Sequence, residues 1–380
     1  MIGSSVVEVV SDELTRLATA RAAEVGMPTQ ALEDWRYVRC ETLVKAEYDS
    51  PREITPDERR QFVDTATPAV VFIDGHLLDK TVWPSGWQNL ETNGEEALAQ
   101  VATERDVAAI WALASGGSRA AARITGTSSS PVEVINLATG GRSGWTLLLE
   151  VAPGARLDLI VRHQALGAAR SCPALTLRVG RGAQVFVSEV QTASCHHLLA
   201  TATIDLAADA QVHWTTVVRG GACVRLTTRA TLSGPGAHLE LAGLSEVSEQ
   251  HQAHQVVRVV HAAGHTTSDQ LFKAILHDRA QTSFDGLVQI SSGSDGADAK
   301  QQNRNLLLSP LAKADTRPQL DIKADDVKAA HGATVGQLDV DELFYLRCRG
   351  LARQDAEALL TIGFAGEVLA RLPHRGLLNI

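Results

Sequence analysis

The chain has 380 residues, of which 44% are hydrophobic, 21% are charged and 4% are aromatic, and its formal net charge is −9. This composition is typical of a folded globular protein, and an acidic balance without a basic block argues against nucleic acid or an anionic membrane surface as a partner. No run of 18 apolar residues and no secretory signal are seen, and the five cysteines are scattered, so we expect a cytoplasmic protein with reduced thiols and no membrane span.

The N-terminal region, residues 1–115, is predicted to be mostly helical. Residues 4–23 show helical periodicity, because Val7, Val10, Leu14 and Leu17 fall on one face of a helix. Residues 57–65 and 93–114 are further helical candidates. We expect this region to cover one end of a β-rich core that spans residues 116–334, since repeat cores need capped ends.

The middle of the chain contains a repeat. Four segments share an apolar strand, a tight turn, an alanine and a second alternating strand, and their alanines are 28, 27 and 27 residues apart. Self-similarity at a fixed period of this size predicts a solenoid, and strands joined by turns too short for helices predict a parallel β-helix. A β-sandwich of hairpins is the alternative, and the regular period argues against it. The aligned alanines are Ala155, Ala183, Ala210 and Ala237.

The C-terminal region, residues 335–380, returns to a helical pattern. Residues 341–349 and 354–371 are predicted to form two helices joined at Gly350. Their apolar face either packs on the solenoid or receives a partner, and intramolecular packing is the expectation for most of it. The face consists of Leu343, Phe344, Leu351, Leu359, Leu360, Ile362 and Phe364.

Motifs of the common catalytic classes are missing. No phosphate-binding GxxxxGK[ST] loop, no GxSxG nucleophile elbow and no CxxC pair occurs, so we expect that the chain does not hydrolyse ATP itself. The clustered histidines His251, His254, His261 and His265 are predicted to be structural. A β-solenoid that binds or processes carbohydrate is the alternative, although the adjacent Asp325 and Asp326 would point to opposite faces of a strand.

His331 follows a predicted strand at 320–324 and precedes Gly332. Neutral imidazole is a common metal ligand, so His331 is a candidate metal-binding residue. A histidine that only packs a turn is the other interpretation.

Several segments, in the same order along the chain, resemble the motifs of the SufB/SufD family, the scaffold proteins of the SUF iron–sulfur cluster assembly system, and are closest to its SufD members. The resemblance covers nearly the whole chain. The segments are EDWRY at 33–37, HAAGHTTSDQLFK at 261–273, DG at 285–286, QQNRNLLLS at 301–309, PQL at 318–320 and LFYLRCRG at 343–350.

The resemblance implies a mainly β protein with a right-handed parallel β-helix between helical ends. It implies a non-catalytic scaffold subunit that pairs with a SufB-like paralogue through the β-helix and binds a SufC-like ABC ATPase, which supplies the ATPase activity, through residues 335–380. A transient iron–sulfur cluster would be shared with the paralogue at a site that includes His331, and no cofactor would be bound by this chain alone. A self-pairing homodimer of the isolated chain is a further expectation. The candidate partner-binding residues are Phe344, Tyr345, Arg349, Leu351 and Phe364.

Three positions depart from the family pattern. Ala329 stands where SufD members carry a cysteine, which removes a thiolate from the expected site. Leu346 stands where SufB members carry a cysteine, and Gly332 stands where they carry a glutamate, so both favour SufD over SufB. Cys348 is treated as incidental.

Overall fold

A computed structural model describes residues 12–62, 67–78, 83–90, 106–127, 130–192 and 196–377. Its helices lie at both ends of the chain. The α-helices are α1 Asp12–Val25, α2 Cys40–Val44, α3 Pro56–Phe62, α4 Val107–Ala114, α5 Val340–Cys348 and α6 Arg353–Leu369, and two 3-10 turns are Glu33–Trp35 and Arg375–Leu377.

The strands fill the middle of the chain. They are β1 Ala69–Ile73, β2 His76–Leu77, β3 Trp87–Asn89, β4 Arg119–Ile124, β5 Val132–Ala138, β6 Gly141–Val151, β7 Arg156–Ala165, β8 Ala169–Val179, β9 Gln184–Gln191, β10 His196–Leu206, β11 Gln211–Arg219, β12 Cys223–Leu232, β13 His238–Val247, β14 Gln252–His261, β15 Thr267–Leu276, β16 Gln281–Ile290, β17 Asp298–Leu307, β18 Lys313–Ile322 and β19 Lys328–Gly336.

From β4 onward the chain alternates between two sheets. One sheet has the order β19-β17-β15-β13-β11-β9-β7-β5-β1-β2, and the other has the order β18-β16-β14-β12-β10-β8-β6-β4-β3. Neighbouring strands are parallel except for the short pairs β1–β2 and β3–β4. Since each coil adds one strand to each sheet, the protein is a parallel β-solenoid, and the mainly β prediction with flanking helices is confirmed.

The repeated alanines lie at a corner of the solenoid. Ala155, Ala183, Ala210 and Ala237 immediately precede β7, β9, β11 and β13, and each is at most 5% exposed. The backbone stacks directly there, because the amide of Gln211 donates to the carbonyl of Ala183 at 2.9 Å. A small side chain is therefore required where successive coils approach each other.

The solenoid interior is apolar over most of its length. The buried core runs from Val70 on β1 to Ala299 on β17 and includes Trp145 and Trp214. Burying each large aliphatic side chain contributes about 1.5–3 kcal/mol, so this continuous core stabilises the stack of coils. The sheets extend beyond the predicted 116–334 core at both ends. β1 comes earlier in the chain and pairs in parallel with β5, and β19 ends at Gly336.

The N-terminal helices divide between the two sheets: α2 and α4 pack on the outside of the nine-stranded sheet, whereas Phe62 of α3 packs against β1 and β5 of the ten-stranded sheet. Trp35 and α4 residues share a buried cluster with Cys172 on β8. The helix predicted at 93–114 is described from Val107 as α4, the one at 57–65 is described as α3, and the one at 4–23 is described from Asp12 as α1; the rest of these predicted helices lies outside the described residues.

The two C-terminal helices predicted at 341–349 and 354–371 are confirmed as α5 and α6, separated at Gly350. Within the described ranges, every helix is too short or too polar to cross a membrane.

Candidate functional site

The last coil of the solenoid is uncovered. β18 and β19 are the final strands of the two sheets, so each pairs with a neighbour on one side only. From Ala330 to Gly336 every residue of β19 is exposed and no residue of β18 is fully buried, whereas most residues of β16, one coil earlier, are buried. An open strand edge offers unpaired backbone groups that a second chain can use to extend the sheet.

His331 lies within β19 and not in a turn. Ala329, two residues earlier and therefore on the same face of the strand, packs against the solenoid core. The turn is formed earlier, where the exposed Asp325 and Asp326 connect β18 to β19. His331 thus continues an inward-facing row of side chains but remains exposed, because no coil within the described ranges covers it.

Polar residues lie directly beneath His331. Strand register stacks Leu241, Gln270, Gln301 and His331 on successive coils. Gln270 and Gln301 are at most 1% exposed, and the Nε2 atom of Gln301 donates to Oε1 of Gln270 at 2.9 Å. The side chains stacked below His331 inside the solenoid therefore change from apolar (Leu241) to amide (Gln270 and Gln301) on the last coils.

The motif QxNxN explains this change. Alternation places Gln301, Asn303 and Asn305 on the inner face of β17, where all three are buried. The amide of Asn305 donates to the carbonyl of Thr334 at 3.2 Å and so ties β17 to β19. Sequence reasoning identified the motif but not its role. The signal was weak, since the stacked positions here are separated by 29, 31 and 30 residues and not by a constant period.

A groove of about 410 Å³ runs along the exposed part of β17 and β19. Its lining includes His331, Gly332, Lys300, Gln302 and Arg304. Gly332 leaves open space, because a Cβ atom there would have no atom within 4 Å. The groove is shallow and basic on one side, which suits an anionic cargo more than an apolar ligand.

Thiolates are not supplied by the buried cysteines. Burial raises the pKa of Cys172 to about 11 and that of Cys223 to about 12, and it also raises the pKa of Cys40. These thiols remain protonated at neutral pH, so they are poor metal ligands. Cys348 is exposed at the end of α5, and Cys195 lies outside the described residues.

The clustered histidines are structural in the two cases that lie within strands. His254 and His261 are almost completely buried. A ring nitrogen of His254 lies 2.7 Å from the Ser283 hydroxyl, and His261 has a hydroxyl 2.8 Å from each of its ring nitrogens. The prediction that these histidines are satisfied core residues is confirmed.

The C-terminal helices carry an exposed apolar surface. Phe344 is 67% exposed, Tyr345 57% and Ile362 66%. Their neighbour Arg349 lies over the Tyr345 ring at 5.2 Å from its centroid. We name this set, with Val340 and Leu359, the tail surface. Leu351 is only partly exposed, and a groove of about 660 Å³ separates α5 and α6 from the strand ends near Leu308.

Phe364, in contrast, holds α6 on the solenoid. It packs against a buried cluster that includes Leu271, and Lys273 lies over its ring at 4.6 Å. Lys273 also donates to the carbonyl of Phe364 at 2.9 Å and pairs with Glu367 at 2.6 Å. Arg304 on β17 reaches the same Glu367 at 3.3 Å. The helix is therefore fixed to β17, which pairs with β19, and to β15, the next strand of the same sheet.

Comparison with known proteins shows which family the chain resembles. Residues 138–364 match the family model described as the SUF system FeS cluster assembly SufBD core domain. The chain is 28% identical over 367 residues to the iron–sulfur cluster assembly protein SufD of Escherichia coli K12, covering 93% of this chain and 87% of that protein. It is 46% identical over 120 residues to the SufBD family protein slr0076 of Synechocystis, covering 32% of this chain and 26% of that protein. It is also 33% identical over 184 residues to the chloroplastic protein ABCI7 of Arabidopsis thaliana, covering 44% of this chain and 38% of that protein.

Proposed function

The chain belongs to the SufBD family of the SUF system, and we propose that it is a non-catalytic, cytoplasmic scaffold subunit that assembles iron–sulfur clusters together with a SufB-like paralogue and a SufC-like ATPase. Its similarity to SufD supports the role in cluster assembly. The observation that carries the finer proposal is the exposed imidazole of His331 at an uncovered solenoid end. No observation favours the carbohydrate alternative.

The SufB-like paralogue would bind the last coil. β18 and β19 expose one edge of each sheet, so a second solenoid can continue both sheets across the interface. Pro318 in β18 lacks an amide hydrogen, which restricts pairing along that edge and helps to fix the register. The same edge supports a homodimer of the isolated chain when the paralogue is absent.

His331 would contribute one ligand to the nascent cluster, which is the cargo of the complex. Among the described residues, none hydrogen-bonds its imidazole, so a ring nitrogen is available to bind iron. Since Ala329 supplies no thiolate, the sulfur ligands would come from the partner. A site with one imidazole at a subunit interface can open when the interface moves, which favours release of the cluster.

The ATPase would bind the tail surface. Phe344 and Ile362 are too exposed to serve the core of this chain, and large exposed apolar side chains grouped on one surface mark protein interfaces. Movement of α6 would reach β15 and β17 through Lys273 and Arg304, and then β19 through strand pairing. ATP-driven movement of the C-terminal helices α5 and α6 would thereby act on the interface that holds His331.

The test uses the complete complex, expressed with its paralogue and ATPase. In His331→Ala, cluster maturation in cells should fall about tenfold or more while the complex still co-purifies. His265→Ala removes an exposed turn histidine and serves as the control. Unchanged maturation in an intact His331→Ala complex would rule out the ligand role.

A second variant separates the two binding surfaces. The double variant Phe344→Asp and Ile362→Asp should lose the ATPase from the purified complex and keep the paralogue. Retention of the ATPase by this variant would contradict the proposed tail surface.

A further inference from the structure

Two histidines and a glutamate meet on the outward face of the ten-stranded sheet, away from the open end. Register places His213 on β11 beside Glu240 on β13, and His238 lies two residues before Glu240 on the same face. One possible ligand atom from each residue lies within 4.8 Å of the other two. His213 and Glu240 are 27 residues apart, which is one coil of the repeat, so the sequence contained the signal for this contact.

The three side chains are held in place by their neighbours. The ring of His213 stacks on Phe186 with centroids 5.0 Å apart and an angle of 7°, and its Nδ1 lies 2.8 Å from Oε2 of Glu240. The ring of His238 is 5.6 Å from that of His213. A group of ligands fixed on sheet strands loses little conformational freedom when an ion binds.

Two carboxylates, Glu240 and Asp269, and one guanidinium, Arg371, surround the site. Burial, with a smaller effect from His213, lowers the pKa of His238, and the hydrogen bond from His213 lowers the pKa of Glu240. A neutral imidazole and a carboxylate are the forms of these side chains that bind metal ions. Asp269 on β15 is next to Glu240 in register and adds a second negative charge.

We propose that His213, His238 and Glu240 bind one divalent transition-metal ion of the Zn²⁺ or Fe²⁺ class. Each histidine would give one ring nitrogen and Glu240 one carboxylate oxygen. Two imidazoles and one carboxylate match the ligand preference of these ions and leave the remaining coordination positions to water. The site does not include His331 and does not depend on the proposed scaffold function.

The site lies beside the C-terminal segment that follows α6. Arg371 contacts Glu240 Oε1 at 3.3 Å and Asp269 Oδ2 at 2.9 Å. When Glu240 turns toward an ion, Asp269 still holds the arginine. The ion would therefore bind where the segment after α6 meets the solenoid, without displacing that segment.

The test measures binding of Co²⁺ and Zn²⁺ to the metal-free full-length chain, by the visible absorption of Co²⁺ and by its displacement with Zn²⁺. The wild type should bind one equivalent at this site. His213→Phe, which keeps the ring and its stack on Phe186, and His238→Ala should each weaken binding about tenfold or more. Circular dichroism would verify that both variants are folded.

The controls are His265→Ala and His331→Ala, and neither should change the Kd of this site. Equal binding by wild type and His213→Phe, no stoichiometric Co²⁺ binding by wild type, or loss of binding only in His331→Ala would each overturn the proposal. The last result would place the ion at the open end and leave the scaffold proposal standing.

Discussion

The attachment of the N-terminal segment to the solenoid is predicted to depend on one buried carboxylate, Asp285 on β16. Its side chain is 3% exposed and lies 3.1 Å from Arg258 and 2.7 Å from Arg317. The same two arginines reach out to Asp34 and Glu33, both at 2.7 Å. Asp285 therefore orients the arginines that hold the EDW segment against the nine-stranded sheet.

The expected cost of Asp285→Ala follows from this geometry. Removing one partner of a buried ion pair costs about 3–5 kcal/mol. Each arginine keeps a second acidic partner, and the side chains of Arg258 and Arg317 are 15% and 18% exposed, so we expect the lower value, about 3 kcal/mol. Every 1.4 kcal/mol is tenfold, so local opening of residues 33–44 should become about 100-fold more frequent.

Hydrogen exchange measured by mass spectrometry is the suitable assay, because a solenoid does not unfold as a single two-state unit and a local readout is needed. Peptides from residues 33–44 should lose protection in Asp285→Ala, whereas peptides from β5 to β9 should not. Asp321→Ala on the neighbouring β18 is the control. Asp321 pairs with Lys323 at 3.3 Å, the two side chains are 44% and 56% exposed, and its loss should cost less than about 1 kcal/mol. Equal exchange in the two variants would refute the anchoring role of Asp285.

Three further predictions concern stability. Burial lowers the pKa of His254 to about 3, whereas the unfolded chain takes up the proton near pH 6.5. The stability present above pH 6.5 should therefore be lost as the pH falls from 6.5 toward 3, by up to about 1.4 kcal/mol per pH unit. His254→Gln should flatten the fall in melting temperature between pH 7 and pH 5, and an unchanged slope would contradict this. A Cβ atom at Gly234 would lie 2.0 Å from backbone of the preceding coil, so Gly234→Ala should cost about 1–3 kcal/mol and lower the melting temperature, whereas Gly332→Ala, which meets open space, should leave it nearly unchanged. Lys273→Met removes the hydrogen bonds of a charged group, so it should lower the free energy of unfolding by about 1.5–3 kcal/mol and speed hydrogen exchange in α6. Unchanged exchange in α6 would mean that apolar packing alone holds the helix.

Local pattern was sufficient to predict the architecture. The alanines one coil apart, such as Ala183 and Ala210, mark a corner that every coil must turn in the same way, so their period appears in the sequence. The helices α5 and α6 were predicted to within a few residues because their apolar spacing and the break at Gly350 are local signals. His331 was also identified from sequence, although its place inside β19 was not, because that strand is exposed and lacks apolar alternation.

The contacts that define the sites required the tertiary structure. Asp34 meets Arg258 across 224 positions of sequence, and no periodicity encodes that pairing. Gln301 lies under His331 because coils near the open end differ in length, which shifts the stacking away from the 27-residue period seen earlier. The sequence thus determined the solenoid, its helical ends and the candidate histidine, since these depend on local spacing. Only the folded structure decided which side chains stack across coils, because that depends on the summed length of every turn between them.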